Sequence, residues 1–195
     1  MSLENPTELA PLICAAFLMV SISTAGVCQV LWLRTGLSQR LQQPVDLGMR
    51  LRGRPLFGQN KTLRGFVVMV PATGLAFLAW SMVPLFAAGI WELTPIAFLL
   101  LGMAAGLGFM LGELPNSMLK RQLDIAPGEA PDKAWLRWLC LLLDRTDSIL
   151  GALLVVSLLV PVSAWVWLIC LLVGPGIHAF FSFMLYLLRV KKRAA

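Results

Sequence analysis

Residues 95–121 read PIAFLLLGMAAGLGFMLGELPNSMLKR. Eighteen positions carry no charge, and then Glu113, Asn116, Ser117, Lys120 and Arg121 follow within nine residues. An uncharged run of about that length suits a membrane-spanning helix. An ionisable residue inside such a span costs roughly 2.5–3.5 kcal/mol on insertion scales, so it is expected to face a protein-lined, wet or metal-filled site. About twenty residues later Asp144 and Asp147 open the next apolar block. Two acids three apart on a helix share one face. Acids grouped with Lys and Arg at the edge of a membrane mark a place suited to a divalent metal and phosphates.

The composition agrees with a membrane assignment. Of 195 residues, 58% are hydrophobic and 13% are charged, against about 25% charged in a soluble domain. The apolar runs recur to the end of the chain, which argues against a signal peptide followed by a soluble domain. The expected fold is an all-α membrane protein, residues 1–195 forming one bundle of about five transmembrane helices near 9–33, 66–89, 95–112, 146–162 and 164–188. The amphipathic stretch Trp135 to Leu143 is suited to lead into the fourth as one long helix.

The net charge of +6 does not point to nucleic acid. All sixteen Lys and Arg fall in three stretches: seven in 34–64, five in 120–145 and four in 189–193. The positive-inside rule puts all three on the cytoplasmic side. The N-terminus is then outside with Glu4, Glu8 and Glu92 on that side, and the C-terminus is cytoplasmic. The expected location is the cell (inner or plasma) membrane, with the site facing the cytoplasm in segments 34–65 and 113–147. No oligomer interface is legible; a homodimer is compatible with the sequence.

Cys14, Cys28, Cys140 and Cys170 form no C-x-x-C pair, which disfavours zinc and suits small buried residues. Gly102, Gly106, Gly108 and Gly112 read first as close helix packing and second as ligand contacts. Tryptophans 32, 80, 91, 135, 165 and 167 fall near predicted interfaces, as aromatic belts do.

Residues 44–65 read PVDLGMRLRGRPLFGQNKTLRG. Four glycines interleave with Arg50, Arg52, Arg54, Lys61 and Arg64. Glycines let a backbone approach a ligand, and Lys and Arg suit phosphate. The competing reading is a basic loop held by anionic headgroups. The stretch lacks the spacing of a P-loop. Lys61 to Gly65 leads into the second membrane helix, which would offer its N-terminus to an anion. In the second segment Pro115 is expected to break the third helix after Glu113, and Asp124 to Asp132 reads as a turn-rich loop. Asp144 is suited either to cap the fourth helix or, with Asp147, to hold Mg²⁺.

The ordered set PVDLG…LRGRPLFGQNKTLRG, SMLKR, IAPGE and DRTDSILGAL resembles the CDP-archaeol synthase family, related to the CTP:phosphatidate cytidylyltransferases. The matches span about residues 44–152, and His178 also has a family counterpart. The resemblance implies that a membrane lipid phosphate, archaetidate- or phosphatidate-like, attacks CTP to give a CDP-lipid and pyrophosphate, with Mg²⁺. It implies Glu113, Asp144 and Asp147 as metal ligands. Lys61, Arg64, Lys120 and Arg121 would offset phosphate charge. Asp46, Thr62, Gly65, Asn116, Ser117 and His178 would bind and orient substrate. The chain departs from the family pattern at Glu113 for Asp, Gln59-Asn60 for Asp-Gly, Leu63 for Trp and Ser182 for Asn. Those departures motivate a rival reading, a catalytically degenerate homologue that binds nucleotide or anionic lipid. A small membrane scaffold or transporter is a further rival, but its polar residues should line a path across the bilayer, and here they gather at one side.

Overall fold

The structure is a computed structural model and describes residues 10–127 and 129–187. The terminal charges used above for topology (Glu4, Glu8, Arg189, Lys191, Lys192 and Arg193) lie outside the described residues. Seven helices and one two-stranded hairpin are present among them. Four helices are long and apolar enough to cross a membrane: α1 (Pro11–Leu33), α3 (Leu63–Ser81), α5 (Pro95–Gln122) and α7 (Ala164–Leu187). A fifth long helix, α6 (Ala134–Leu159), carries Arg137, Asp144, Arg145 and Asp147 within its first fourteen residues. Short helices α2 (Gly36–Gln39) and α4 (Pro84–Ala87) follow α1 and α3.

The five long helices close into a ring. In order around it α1 packs on α3, α3 on α5, α5 on α6, α6 on α7, and α7 returns to α1. Glycines set two of these seams, as the packing reading expected. A Cβ on Gly102 or Gly106 would stand 2.6 and 2.8 Å from the Thr73 and Met69 carbonyl oxygens of α3. One on Gly108 would stand 2.6 Å from the Gly151 carbonyl oxygen, and one on Gly112 would stand 2.4 Å from that of Asp147. Without a hydrophobic drive between helices in lipid, such close backbone contact is what holds the seam.

One end of the ring is aromatic. Phe17 is fully buried and meets Phe77, Phe86, Phe98 and Trp91 edge-on at centroid distances of 5.0, 5.8, 6.0 and 6.4 Å. These are favourable aromatic geometries. Trp91 donates its indole N–H to the Pro161 carbonyl at 2.7 Å, tying the two connections at this end together. Trp91 is therefore a core residue and not a belt residue, whereas Trp135 and Trp165 are exposed. Three of the cysteines are buried, but Cys28 is exposed on α1, against expectation.

Several helix boundaries differ from the sequence reading. The second membrane helix runs from Leu63 to Ser81 and not from 66 to 89. It ends because Pro84 forces Val83 into an extended conformation, and α4 starts anew there. Pro115 does not break α5, which continues to Gln122. Contacts on both sides of Pro115, from Gly112 and Asn116 to α6, keep the helical path despite the lost N–H. The stretch Trp135 to Leu143 does join the following apolar block in one helix, α6, so Asp144 lies mid-helix. Lys133 holds the cap position, which overturns the capping role for Asp144.

The segment between α1 and α3 also differs from an all-α expectation. Arg50–Leu51 (β1) and Arg54–Pro55 (β2) pair antiparallel. Their turn, Arg52 and Gly53, has φ of 54° and 79°, the two positive values that a tight hairpin turn requires. Arg54 donates to the Gln122 carbonyl and pairs with Asp124, which pins the hairpin to the end of α5.

Candidate active site

The polar end of the ring brings both segments together. Lys61, from the loop before α3, pairs with Glu113 on α5. Burial pushes the Lys61 ammonium down, but Glu113, with Asp147 and Asp144 behind it, outweighs this and holds it above the ordinary lysine value. Asn116, one turn after Glu113, donates through Nδ2 to Asp144 Oδ1 at 2.7 Å and to Asp147 Oδ2 at 2.9 Å. Lys120, a turn further on, pairs with Asp144. On α7 the His178 side chain interacts electrostatically with Glu113. One side of α5 at i, i+3 and i+7 therefore addresses α6 and the first segment at once.

Ser148 is a member of this cluster that the sequence reading missed. Fully buried, it donates to Glu113 Oε1 at 2.8 Å and lies 3.2 Å from Asp147 Oδ1. It links the carboxylates of two helices. The available signal was a hydroxyl placed next to an acid in an apolar run.

Other expected residues take different roles. Asp46 is a staple of the glycine loop and does not face the acids. Its Oδ1 accepts from the Gly48 N–H at 3.0 Å, and its Oδ2 from the Phe57 and Gly58 N–H groups at 2.9 and 3.2 Å. Burial raises its carboxyl, and these three donors outweigh that and hold it below the ordinary aspartate value. Arg121 donates to the Ile125 carbonyl of its own chain turn and packs on Gly58, so its guanidinium is engaged structurally. Ser117 donates to the Glu113 carbonyl at 2.8 Å, within α5. Gly65 is a packing residue, because a Cβ there would sit 2.8 Å from Met110 Cε. Thr62 is the buried N-cap position of α3, with no capping bond from its side chain.

The expected anion site at the start of α3 is also corrected. The N–H groups of Leu63 and Arg64 already donate to the Gln43 and Leu41 carbonyls at 3.0 and 3.2 Å. The helix N-terminus is used to fasten the preceding loop. Among the described residues Arg64 has no side-chain hydrogen bond or ion pair, and it is half-buried.

The cluster suits a hard divalent cation in its donor chemistry. Two carboxylates, Asp144 and Asp147, converge on Asn116, and Ser148 ties Glu113 to Asp147; among the described residues the side-chain oxygen of Asn116 is buried and accepts no hydrogen bond. Oxygen donors of this kind match Mg²⁺. They are not drawn into a finished cage: among the described residues no three acidic, His or Cys side chains enclose an ion.

A ring of membrane helices with carboxylates, lysines and a basic loop gathered at one end defines a polytopic membrane protein of anion-handling chemistry. A family model described as CarS-like, CDP-archaeol synthase, matches residues 16–194, and the chain belongs to that family. The CDP-archaeol synthase of Pyrobaculum arsenaticum is 33% identical over 160 residues, covering 80% of this chain and 85% of that protein. That of Pyrobaculum aerophilum is 29% identical over 152 residues, covering 77% and 81%. A solved structure described as an intramembrane enzyme for archaeal membrane lipids biosynthesis matches with a TM-score of 0.58. It is 24% identical, covers 91% of this chain and 93% of that one, and attests the fold.

Proposed function

We propose that this chain is a CTP-dependent cytidylyltransferase acting on a membrane lipid phosphate, with α6 as its fifth membrane crossing and the polar end in the cytoplasm. The observation that carries the reading is the meeting of Lys61 with Glu113, and of Asn116 on the same face of α5 with Asp144 and Asp147, from segments far apart along the chain. An oxygen of the lipid phosphate attacks the α-phosphorus of CTP. The new P–O bond makes the CDP-lipid as the bond from that phosphorus to the β-phosphate oxygen breaks, and pyrophosphate leaves. A phosphate monoester with a second pKa of about 6 is already ionised near neutral pH, so no protein base is required.

The chain's task is then to position two anions and neutralise their charge. Lys61 and Lys120 lie within reach of both acids and incoming phosphates. Arg64, three residues after Lys61 in the chain, adds a planar donor. Glu113, Asp144 and Asp147 would hold Mg²⁺, with Asn116 and Ser148 fixing their orientation. When bound, the ion supplies positive charge against the CTP phosphates.

Purified full chain with CTP, MgCl₂ and digeranylgeranylglyceryl phosphate or phosphatidate should release pyrophosphate and form the matching CDP-lipid. Magnesium-dependent CTP binding without product from either lipid would instead support the degenerate homologue.

A further inference from the structure

The carboxylate of Asp124 breaks two local rules at the end of α5. The Ile125 N–H donates to the Lys120 carbonyl at 3.0 Å and the Asp124 N–H to the Arg121 carbonyl at 3.2 Å. That pattern puts Asp124, with φ of 60°, at the position where helix ends favour glycine. A negative charge there also meets the negative end of the helix dipole. Glycine would satisfy both rules, so the acid is to be explained by what it touches. It pairs with Arg54, whose guanidinium also donates to the Gln122 carbonyl. One cation thereby answers an end carbonyl of the helix and the misplaced carboxylate.

With side-chain exposures of 41% and 67% the pair adds little to stability. Its consequence lies in where it stands along the chain. Lys61 follows Arg54 by seven residues, and Lys120 precedes Gln122 by two. These are the two lysines that the proposed reaction sets against phosphate, and they come from separate segments. The first segment meets α5 at two further points. Gly58 packs on Arg121, where a Cβ would stand 3.2 Å from Nε, and Lys61 pairs with Glu113. A phosphate that takes Lys61 competes with that last contact. The Arg54 contact involves no group of the acid cluster, so substrate does not compete for it.

We propose that Arg54 is a positioning residue for the transfer reaction. It latches the first segment to α5, so that Lys61 and Lys120 keep their spacing once Lys61 leaves Glu113 for a phosphate of CTP. Asp124 orients the Arg54 guanidinium. Both residues act through the two lysines and not on substrate itself. The inference rests on the cytidylyltransferase reading and adds to it the pair that registers its two basic segments.

The test titrates the full chain in detergent with CTP and MgCl₂ and compares three variants. Asp124→Gly keeps the backbone turn and removes the ion pair. Arg54→Ala removes both bonds, and Arg54→Lys keeps the charge without the fork. Kd for CTP should rise about threefold in Asp124→Gly, the scale of one exposed ion pair. In Arg54→Ala it should rise about tenfold, as for a displaced positioning group, with Arg54→Lys between that variant and wild type. The double variant should bind CTP as Arg54→Ala does, since Asp124 acts only through Arg54. Pyrophosphate release at saturating CTP should change less than Kd. Without CTP, the melting temperature should hold in Arg54→Ala and hold or rise in Asp124→Gly, where glycine suits the turn. Ligand-free melting temperatures that fall together with affinity in both would make the pair structural and overturn the proposal. Wild-type affinity in both Arg54→Ala and Asp124→Gly would overturn the latch and leave the cytidylyltransferase reading standing. Failure of the wild type to bind CTP would overturn both.

Discussion

At one end of the helix ring Phe17 is surrounded by Phe77, Phe86, Trp91 and Phe98; at the other, Asn116 is held between Asp144 and Asp147. The aromatic end buries rings in favourable edge contacts and needs no polar compensation. The polar end desolvates carboxylates and lysines, and each charge there requires a partner to be tolerable. Burying ions is weak evidence for stability, so the polar end is the part of the molecule built against the easiest packing. Its arrangement follows from a task, and that of the aromatic end from folding.

Substitutions at the two ends should therefore separate activity from stability. The largest expected effect is at the polar end: Asp147→Asn or Lys61→Ala should lower kcat on the order of 10²–10³-fold, the scale of removing one preorganised electrostatic group. Their thermal unfolding in detergent should still show one cooperative folded state. Wild-type turnover in either variant would remove that residue from the site. At the aromatic end, Phe17→Ala should cost about 3–5 kcal/mol of stability, read by denaturant titration. Its KM for CTP should hold at temperatures where it remains folded.

Gly112→Val tests the link between the ends. It forces a side chain against the Asp147 backbone, where a Cβ already has only 2.4 Å. About 1–3 kcal/mol of destabilisation is expected from overpacking, together with a loss of magnesium affinity that Phe17→Ala would not show. Ser148→Ala should reduce magnesium affinity by about 10-fold, the lower range for a group that orients a ligand. Retained affinity would make Ser148 a packing residue.

The smallest effect concerns the loop staple. Asp46 has a folded carboxyl held below its unfolded value, so its contribution is present in full above the unfolded pKa of about 3.9. It is lost as pH falls through the lower folded value. Wild type should exceed Asp46→Asn in melting temperature by a constant margin above about pH 5, and the margin should shrink in stronger acid. A margin independent of pH would mean that the three backbone donors do not favour the charged form.

The membrane class, the five long helices and the acids proposed for the candidate site were legible because hydropathy and charge are local properties. Helix ends were less so. Pro115 carries the ordinary signal of a break, yet contacts from Gly112 and Asn116 to a helix almost thirty residues away hold the path. Asp144 carries the ordinary signal of a cap, yet the apolar face of Trp135 to Leu143 extends the helix past it. Arg121 and Asp46 were implied as phosphate and substrate groups by the family resemblance. Whether such a side chain meets a phosphate or its own backbone depends on which carbonyl or N–H groups the loop brings near, and spacing does not carry that information.

The sequence alone determined that this chain lives in a membrane, which residues carry charge there, and which family it resembles. The first two follow from charge and transfer free energies that each residue contributes nearly independently; the resemblance follows from the order of motifs such as SMLKR and DRTDSILGAL. Only the tertiary structure decided that Lys61 meets Glu113 and that Ser148 joins Glu113 to Asp147. Those depend on how closely two helix backbones approach, and glycine contacts between distant parts of the chain set that distance.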